Sequence, residues 1–335
     1  MQHIIPDTYI LVIDDVISKD EGLYSVVARN PAGAVSSSAM IHVEDNEDEF
    51  AYRTYHRGRN VKAKQVDNNR IFGDYYDLGD ELGRGTQGVT YHSVERSTGR
   101  SLAAKIMTGT GPELRSRMMG ELDIMNQLSH QRLVRLIDAY ETKDSLTLVS
   151  ELAGGGDLVD VVTRRPHVTE SDIAYYIRQV LEGLGHMHGH GIAHLGLTPG
   201  DLFLTRPDGD ELKIGDFGLA RRIYSNKLAS LDYGMPEFVA PETANGEGVG
   251  FAADMWSVGV ISYLLLSGIS PFRGETDRDT LRRVQAGQIN FDPEAFSNIS
   301  SDATDFITKL LVFKADGRLT LEEVNFFRFP FPSFL

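Results

Sequence analysis

The chain has 335 residues, 41% of them hydrophobic, which is enough for one large domain or two with an ample core. A formal net charge of −15 argues against nucleic acid or an anionic membrane surface as the main partner. The absence of cysteine excludes a disulfide framework, a thiolate zinc site and a thiol nucleophile. No apolar run approaches the roughly 20 residues of a membrane-spanning helix, and nothing reads as a signal peptide. A cytoplasmic protein is expected.

In chain order, Tyr9–Ile13, Leu23–Arg29 and Ala39–Val43 read as strands. Asp20-Glu21-Gly22-Leu23-Tyr24-Ser25-Val26, followed by Ala28, Asn30 and Gly33, resembles the second half of an intermediate-type immunoglobulin domain. Tyr24 would be its tyrosine corner, and Val26 stands where the second cysteine is usual. The resemblance covers only the last three strands of residues 1–43. Three strands without their facing sheet leave an apolar face uncovered, so a fragment of a longer chain is expected. Residues 44–73 then read as a linker, with acidic Glu44, Asp45, Glu47, Asp48 and Glu49 ahead of basic Arg53, Arg57, Arg59, Lys62 and Lys64. A solvated charged linker is the expectation, and strapping across the following body is the alternative.

From Tyr75 onward the order of signals is strands, a helix, more strands, then mostly helices. Leu82-Gly83-Arg84-Gly85-Thr86-Gln87-Gly88 follows a strand-like stretch. Its glycines allow close backbone approach to phosphates, although a plain hairpin would read the same. Lys105 ends an alternating strand after Ala103, and Glu121 stands sixteen residues later in a helical run with Met118, Leu122 and Met125. Alone, both would read as surface charges. Thr169-Glu170-Ser171-Asp172 is a helix-start signature ahead of Ile173, Ile177, Leu181 and Leu184. His186 and His190 are spaced as metal ligands on a helix, but they lack an acidic third ligand, and a helix end explains them equally well.

These segments, with His194-Leu195-Gly196-Leu197-Thr198-Pro199-Gly200-Asp201, Asp216-Phe217-Gly218, Gly234 to Glu242, Asp254-Met255-Trp256-Ser257 and Arg318, resemble the protein kinase family over about 250 residues. The helical motifs are most similar to the calmodulin-dependent and titin-like muscle kinases. The resemblance implies an α+β, two-lobed fold, a small β-rich lobe and a large helical one, over residues 74–328, ahead of a short apolar tail at 329–335. It implies ATP contacts from Leu82, Gly83, Gly85, Gly88, Thr90, Ala103, Lys105, Glu121, Ser150, Glu151, Leu152, Asp157, Phe203 and Asp216. It also implies that Glu242 pairs with Arg318, that Asp254 anchors the catalytic loop, and that His194 packs with Met125, Leu136 and Phe217.

Several positions depart from the family pattern. The catalytic base is Gly196, the preceding arginine is Leu195, the lysine that steadies the transferring phosphoryl is Thr198, and the metal-binding asparagine is Asp201. Gln87, Thr90, Phe203 and Met235 also differ. A base contributes on the order of 10²–10⁴ in rate, and the lysine supplies electrostatic stabilisation as well. A pseudokinase is therefore expected, a protein-binding scaffold with ATP as a ligand. By resemblance its setting is the muscle cytoskeleton, with protein partners. The alternatives are a weak serine/threonine kinase or other nucleotide transferase, with Asp201 as a rescue base, and a module whose pocket Phe203 blocks. Asp201 beside Asp216 either holds Mg²⁺ more tightly or repels phosphates in its absence. No basic amphipathic helix fits the tail, so calmodulin binding within this chain is not expected.

Overall fold

The computed structural model describes residues 2–5, 8–10, 22–30, 33–41, 64–65, 72–85, 88–109, 111–223 and 234–324. They fall in two compact units, residues 1–59 and 60–335. In the first, β1 (Gln2–Ile5) pairs antiparallel with β2 (Thr8–Ile10), and β3 (Gly22–Asn30) with β4 (Gly33–Ile41). The strand expected at Ala39–Val43 in fact begins at Gly33. Its pairing with β3 continues to Asn30↔Gly33. Leu11–Ile13 and Val43 lie outside the described residues.

In the second unit, the small lobe is a six-stranded sheet built from β5 (Lys64–Gln65), β6 (Tyr76–Gly85), β7 (Gly88–Glu95), β8 (Ser101–Thr108), β9 (Leu136–Glu141) and β10 (Ser145–Glu151). Their order across the sheet is β5-β9-β10-β8-β7-β6. β5 lies within the stretch read as a charged linker. It runs parallel to β9 through Lys64↔Tyr140 and Gln65↔Glu141, pairing part of an edge that would otherwise present unpaired N–H and C=O groups. A nest of aromatic rings follows it. Phe72 stacks on Tyr76 at 5.2 Å and meets Tyr140 edge-on at 5.9 Å. The Tyr76 and Tyr140 hydroxyls donate to Asp138 Oδ2 at 3.4 and 2.8 Å, and burial together with this carboxylate pushes both phenols well above their usual range. The charged stretch from 44 to 63 lies outside the described residues, as does the tail from 325.

Helix α1 (Pro112–Gln127) has proline at its start, where no backbone N–H is needed, and buries Met118, Leu122, Ile124 and Met125. The helical lobe begins at β11 (Gly156–Asp157) and α2 (Leu158–Arg164). Helix α3 (Glu170–Gly189) starts with the expected capping box, Thr169 and Asp172 each accepting from the other's backbone. Its face of Ile173, Ile177, Val180, Leu181 and Leu184 is buried, as the 3.6-residue period requires. The strands β12 (Ile192–Ala193), β13 (Leu202–Leu204), β14 (Leu212–Ile214) and β15 (Arg221–Arg222) form the lobe's cleft-side ribbons, ordered β11-β13-β14 and β12-β15.

After α4 (Pro241–Ala244), helix α5 (Phe251–Ser267) is buried continuously from Ala253 to Tyr263, as its nearly all-round apolar composition demands. Helices α6 (Asp277–Ala286), α7 (Ser301–Leu310) and α8 (Leu321–Val324) complete the described lobe. Arg318, fully buried, donates to both oxygens of Glu242 at 2.8 and 3.0 Å and lies over the Trp256 ring. Among the described residues, no helix is long and apolar enough to cross a membrane.

Candidate functional site

Strand register brings the roof of the cleft together. Gly83 pairs with Thr90, Thr90 with Lys105, Lys105 with Leu148, and Ala103 with Ser150. Leu82 is 51% exposed, and Gly83 and Gly85 have open space where a side chain would stand. Gly88 is different, because a Cβ there would collide with the Ile106 carbonyl oxygen, so the close approach of β7 to β8 requires glycine. Gln87 lies outside the described residues. At the end of β10, the Glu151 carboxylate accepts from Arg135 N at 2.9 Å and pairs with Lys213 at 2.8 Å. Ser150 and Leu152 flank it, half-buried.

Lys105 links the two lobes. Its ammonium donates to both oxygens of Glu121, at 2.8 and 3.0 Å, and to Asp216 Oδ1 at 2.8 Å. Burial works against the charge on Lys105, but Glu121 and Asp216 outweigh it and hold its pKa above the usual range. Burial likewise works to raise Asp216, and Lys105 reverses the sign, holding that carboxyl below its usual range. For Glu121, 2% exposed, burial prevails and pushes the carboxyl up against the pull of Lys105. Behind this triad Met125, Leu136, His194 and Phe217 are all buried, with the His194 and Phe217 rings 5.8 Å apart.

The catalytic-loop segment is held from below by Asp254. This fully buried carboxylate accepts from Leu195 N at 2.7 Å, His194 N at 2.9 Å and His188 Nε2 at 2.7 Å. Burial would raise its pKa, but His188 and the loop donors outweigh it and hold the group ionised. His194 Nε2 donates to Gly215 O at 3.1 Å. Leu195 occupies the left-handed region at φ 60°, and its side chain packs against the core. His188 is thus spent on Asp254, while His186 stacks on His130 and lies tilted against His190. No group of three His, Asp or Glu residues is placed to hold a metal ion among the described residues.

Gly196 is not a vacant position. A Cβ there would stand 2.8 Å from Leu219 Cδ1, 3.0 Å from Leu219 Cβ and 3.3 Å from Leu219 Cγ. The same Leu219 Cδ1 lies 3.4 Å from where a Cβ of Gly234 would be, and that Cβ would be 3.9 Å from Gly196 Cα. The leucine after Asp-Phe-Gly therefore fills the corner between the catalytic loop and the docking loop. Sequence reasoning missed Leu219; its only signal was its place directly after that motif. Met235, next to Gly234, is 60% exposed.

Asp201 is tied back to its own loop. It is 8% exposed, and its Oδ2 accepts from Thr198 N at 2.7 Å and Thr198 Oγ1 at 2.8 Å, closing the loop on itself. Burial pushes its carboxyl up to about 6, with Asp216 adding to the shift and His194 and Thr198 opposing it. Asp216, at φ 53°, has Oδ1 committed to Lys105 and Gly218 N. Mg²⁺ in a nucleotide site is held by one or two carboxylates, with phosphate oxygens and water completing its shell, so Asp201 and Asp216 are the residues that would hold it here. At the floor, Phe203 on β13 pairs with Asp157 on β11, and its ring edge lies 3.0 Å from where a Cβ of Gly215 would stand. Asp157 Oδ1 meanwhile caps α2 by accepting from Asp160 N at 2.9 Å.

A small β lobe and a large helical lobe, joined by a lysine–carboxylate triad, define a protein kinase fold. The family described as protein kinase domain matches residues 76–329, and the chain belongs to it. Such a domain implies ATP as a ligand, usually with Mg²⁺. The chain is 44% identical to human myosin light chain kinase 3 over 240 residues, 71% of this chain and 29% of the relative. It is 35% identical to a titin homolog of Caenorhabditis elegans over 304 residues, 89% of this chain and 2% of that protein. Among solved structures, the twitchin kinase region of C. elegans matches with TM-score 0.75 and 33% identity, covering 90% of this chain and 59% of that one. The autoinhibited titin kinase domain matches with TM-score 0.70 and 30% identity, covering 77% of this chain and 81% of that one. The chain thus spans under a third of the myosin light chain kinase 3 it resembles.

Proposed function

We propose that this domain is a pseudokinase, a two-lobed scaffold that binds other proteins and ATP but does not transfer phosphate. The observation that carries the reading is Leu219 lodged against Gly196, where a base and an acceptor hydroxyl would have to meet. Thr198 in place of the phosphoryl-steadying lysine supports it, because its two donors are committed to Asp201. The relatives named above, muscle kinases among them, support a sarcomeric cytoskeletal setting with protein partners. The order of motifs further suggests the first kinase domain of obscurin. Residues 1–43 would be part of an immunoglobulin-like domain, 44–73 a linker, 74–328 the kinase-like domain and 329–335 a tail.

One observation favours a second reading, weak serine/threonine kinase activity: the triad of Lys105, Glu121 and Asp216 is fully assembled. Steady-state transfer of radiolabel from ATP to a generic basic-protein acceptor, with and without Mg²⁺, separates the two. The pseudokinase reading expects no incorporation above that of Lys105→Ala; incorporation that vanishes on this substitution would support the second reading instead.

A further inference from the structure

Three histidine rings meet where the loop leaving α1 crosses the last turn of α3. From their hydrogen bonds we infer that this joint is a proton-operated latch, closed at neutral pH and opened when His130 and His186 take up protons. The His130 and His186 rings stack at 5.0 Å, and the His190 ring lies tilted 4.3 Å from His186. Arg132 N donates to His130 Nδ1 at 3.2 Å, and Ser129 N donates to His186 Nε2 at 3.4 Å. A backbone N–H can only donate, so each of these two ring nitrogens must keep its lone pair, and both rings are neutral while the joint is closed. His190 is oriented the other way. Its Nδ1 donates to His186 O at 2.8 Å, a bond that survives in either charge state.

The charges around the stack also disfavour a further proton. Arg222 on β15 donates to His190 O at 2.9 Å and to the Gln127 side chain, and Arg135 donates to Ser129 Oγ at 3.0 Å. Arg132 and Lys213 add two more cations. The facing carboxylates are already paired, Glu182 and Glu211 with Arg132 at 2.9 and 4.0 Å, and Glu151 with Lys213 at 2.8 Å. Burial, with Arg132 and Lys213 adding to it, holds His130 below the usual histidine range against the pull of Glu182. Protonating either ring takes an acceptor from a backbone N–H, and protonating both sets like charges face to face. A depressed folded pKa means that the closed joint is stable above the ordinary histidine range and weakens as pH falls below it, about tenfold per pH unit for each proton taken up. Opening stays local. Val134 N donates to Ile214 O and Ile214 N to Arg132 O, both at 2.8 Å, so β14 holds the loop from Arg132 onward. What is released is the stretch from Leu128 to Gln131, and with it the end of α1, the helix that carries Glu121.

Amide hydrogen exchange of the whole chain, read by NMR at Ser129 and Arg132 and corrected for the intrinsic rate, tests this. Wild type is compared with the double variant His130→Asn, His186→Gln. Asparagine offers Oδ1 in place of Nδ1 and glutamine offers Oε1 in place of Nε2, so the variant keeps both acceptors and cannot take the protons. Between about pH 7.5 and about pH 5.5, protection of the two amides should fall about tenfold or more in wild type and stay within about twofold in the variant. An equal fall in both proteins, or no fall in wild type, would overturn the inference. A second measurement does not depend on the variant's folding. In the wild-type protein the His130 ring signals should titrate below the ordinary histidine value of about 6.5, and titration at or above that value would overturn the inference as well.

Discussion

Replacing Gly196 by aspartate returns the carboxylate without returning the room for it. The new Cβ would stand 2.8 Å from Leu219 Cδ1, a contact that rotation of the isobutyl group can relieve. The 3.0 Å contact with Leu219 Cβ is at the root of that side chain and yields only if the backbone moves. That backbone is a short turn, tied by Ala220 N donating to Phe217 O at 3.0 Å and Gly218 N to Asp216 at 3.4 Å. Overpacking of this kind costs about 1–3 kcal/mol, which in a domain of this size lowers Tm by roughly 2–12 °C. Catalysis gains little, because the roughly 10²–10⁴ a base supplies presumes an acceptor hydroxyl within reach and a stabilised phosphoryl group. Thermal unfolding and radiolabel transfer, measured on Gly196→Asp and on Gly196→Asp with Leu219→Ala, give the readout. The single variant should melt early, the second substitution, which removes Cγ and Cδ1 but keeps the Leu219 Cβ, should recover only the smaller part of the loss, and both should stay inactive. An unchanged Tm for Gly196→Asp, or robust phosphorylation by it, would refute the reasoning.

Arg318→Ala leaves Glu242 buried without its partner and removes donors to Ala252 O and Val312 O, so denaturant unfolding should show a loss of about 3–5 kcal/mol; a loss below about 1 kcal/mol would show that the pair does not hold the large lobe. Asp201→Asn keeps an acceptor for Thr198 and removes a charge that burial disfavours. The folded carboxyl sits at about 6 against an ordinary 3.8, so the wild type loses stability as pH rises from about 4 through 6, on the order of 2–3 kcal/mol. In EDTA the variant should therefore be the more stable protein above pH 7 and lose that advantage as pH falls through 6 toward 4. A stability difference independent of pH would contradict the assignment.

The parts of this molecule that were legible in the sequence are those whose chemistry is local or repeats with a fixed period. The Thr169–Asp172 capping box, the buried face of α3 and the glycine-rich turn between β6 and β7 depend on residues a few positions apart. Lys105 with Glu121, Asp254 under the catalytic loop and Glu242 with Arg318 were reached only through a family resemblance, since nothing in their spacing shows that they touch. What stayed hidden depends on side chains that meet in space. Leu219 against Gly196 needs the two loops folded on each other. Asp201 turning back to Thr198, rather than toward the cleft, is decided by burial. β5 is two residues long, too short for any alternating pattern, and it forms because the edge of β9 accepts it. The strand expected at Ala39–Val43 starts earlier because its pairing with β3, not a run of apolar residues, sets where it begins.

The central claim, a kinase fold that has lost its chemistry, is tested most directly by a single-turnover experiment. The domain is held in excess over γ-labelled ATP with Mg²⁺ and a saturating peptide acceptor, and label in peptide and in free phosphate is followed beside the Lys105→Ala variant. The account predicts time courses that superimpose on that variant for both products. A burst of labelled peptide in the wild type that is absent from Lys105→Ala would contradict it.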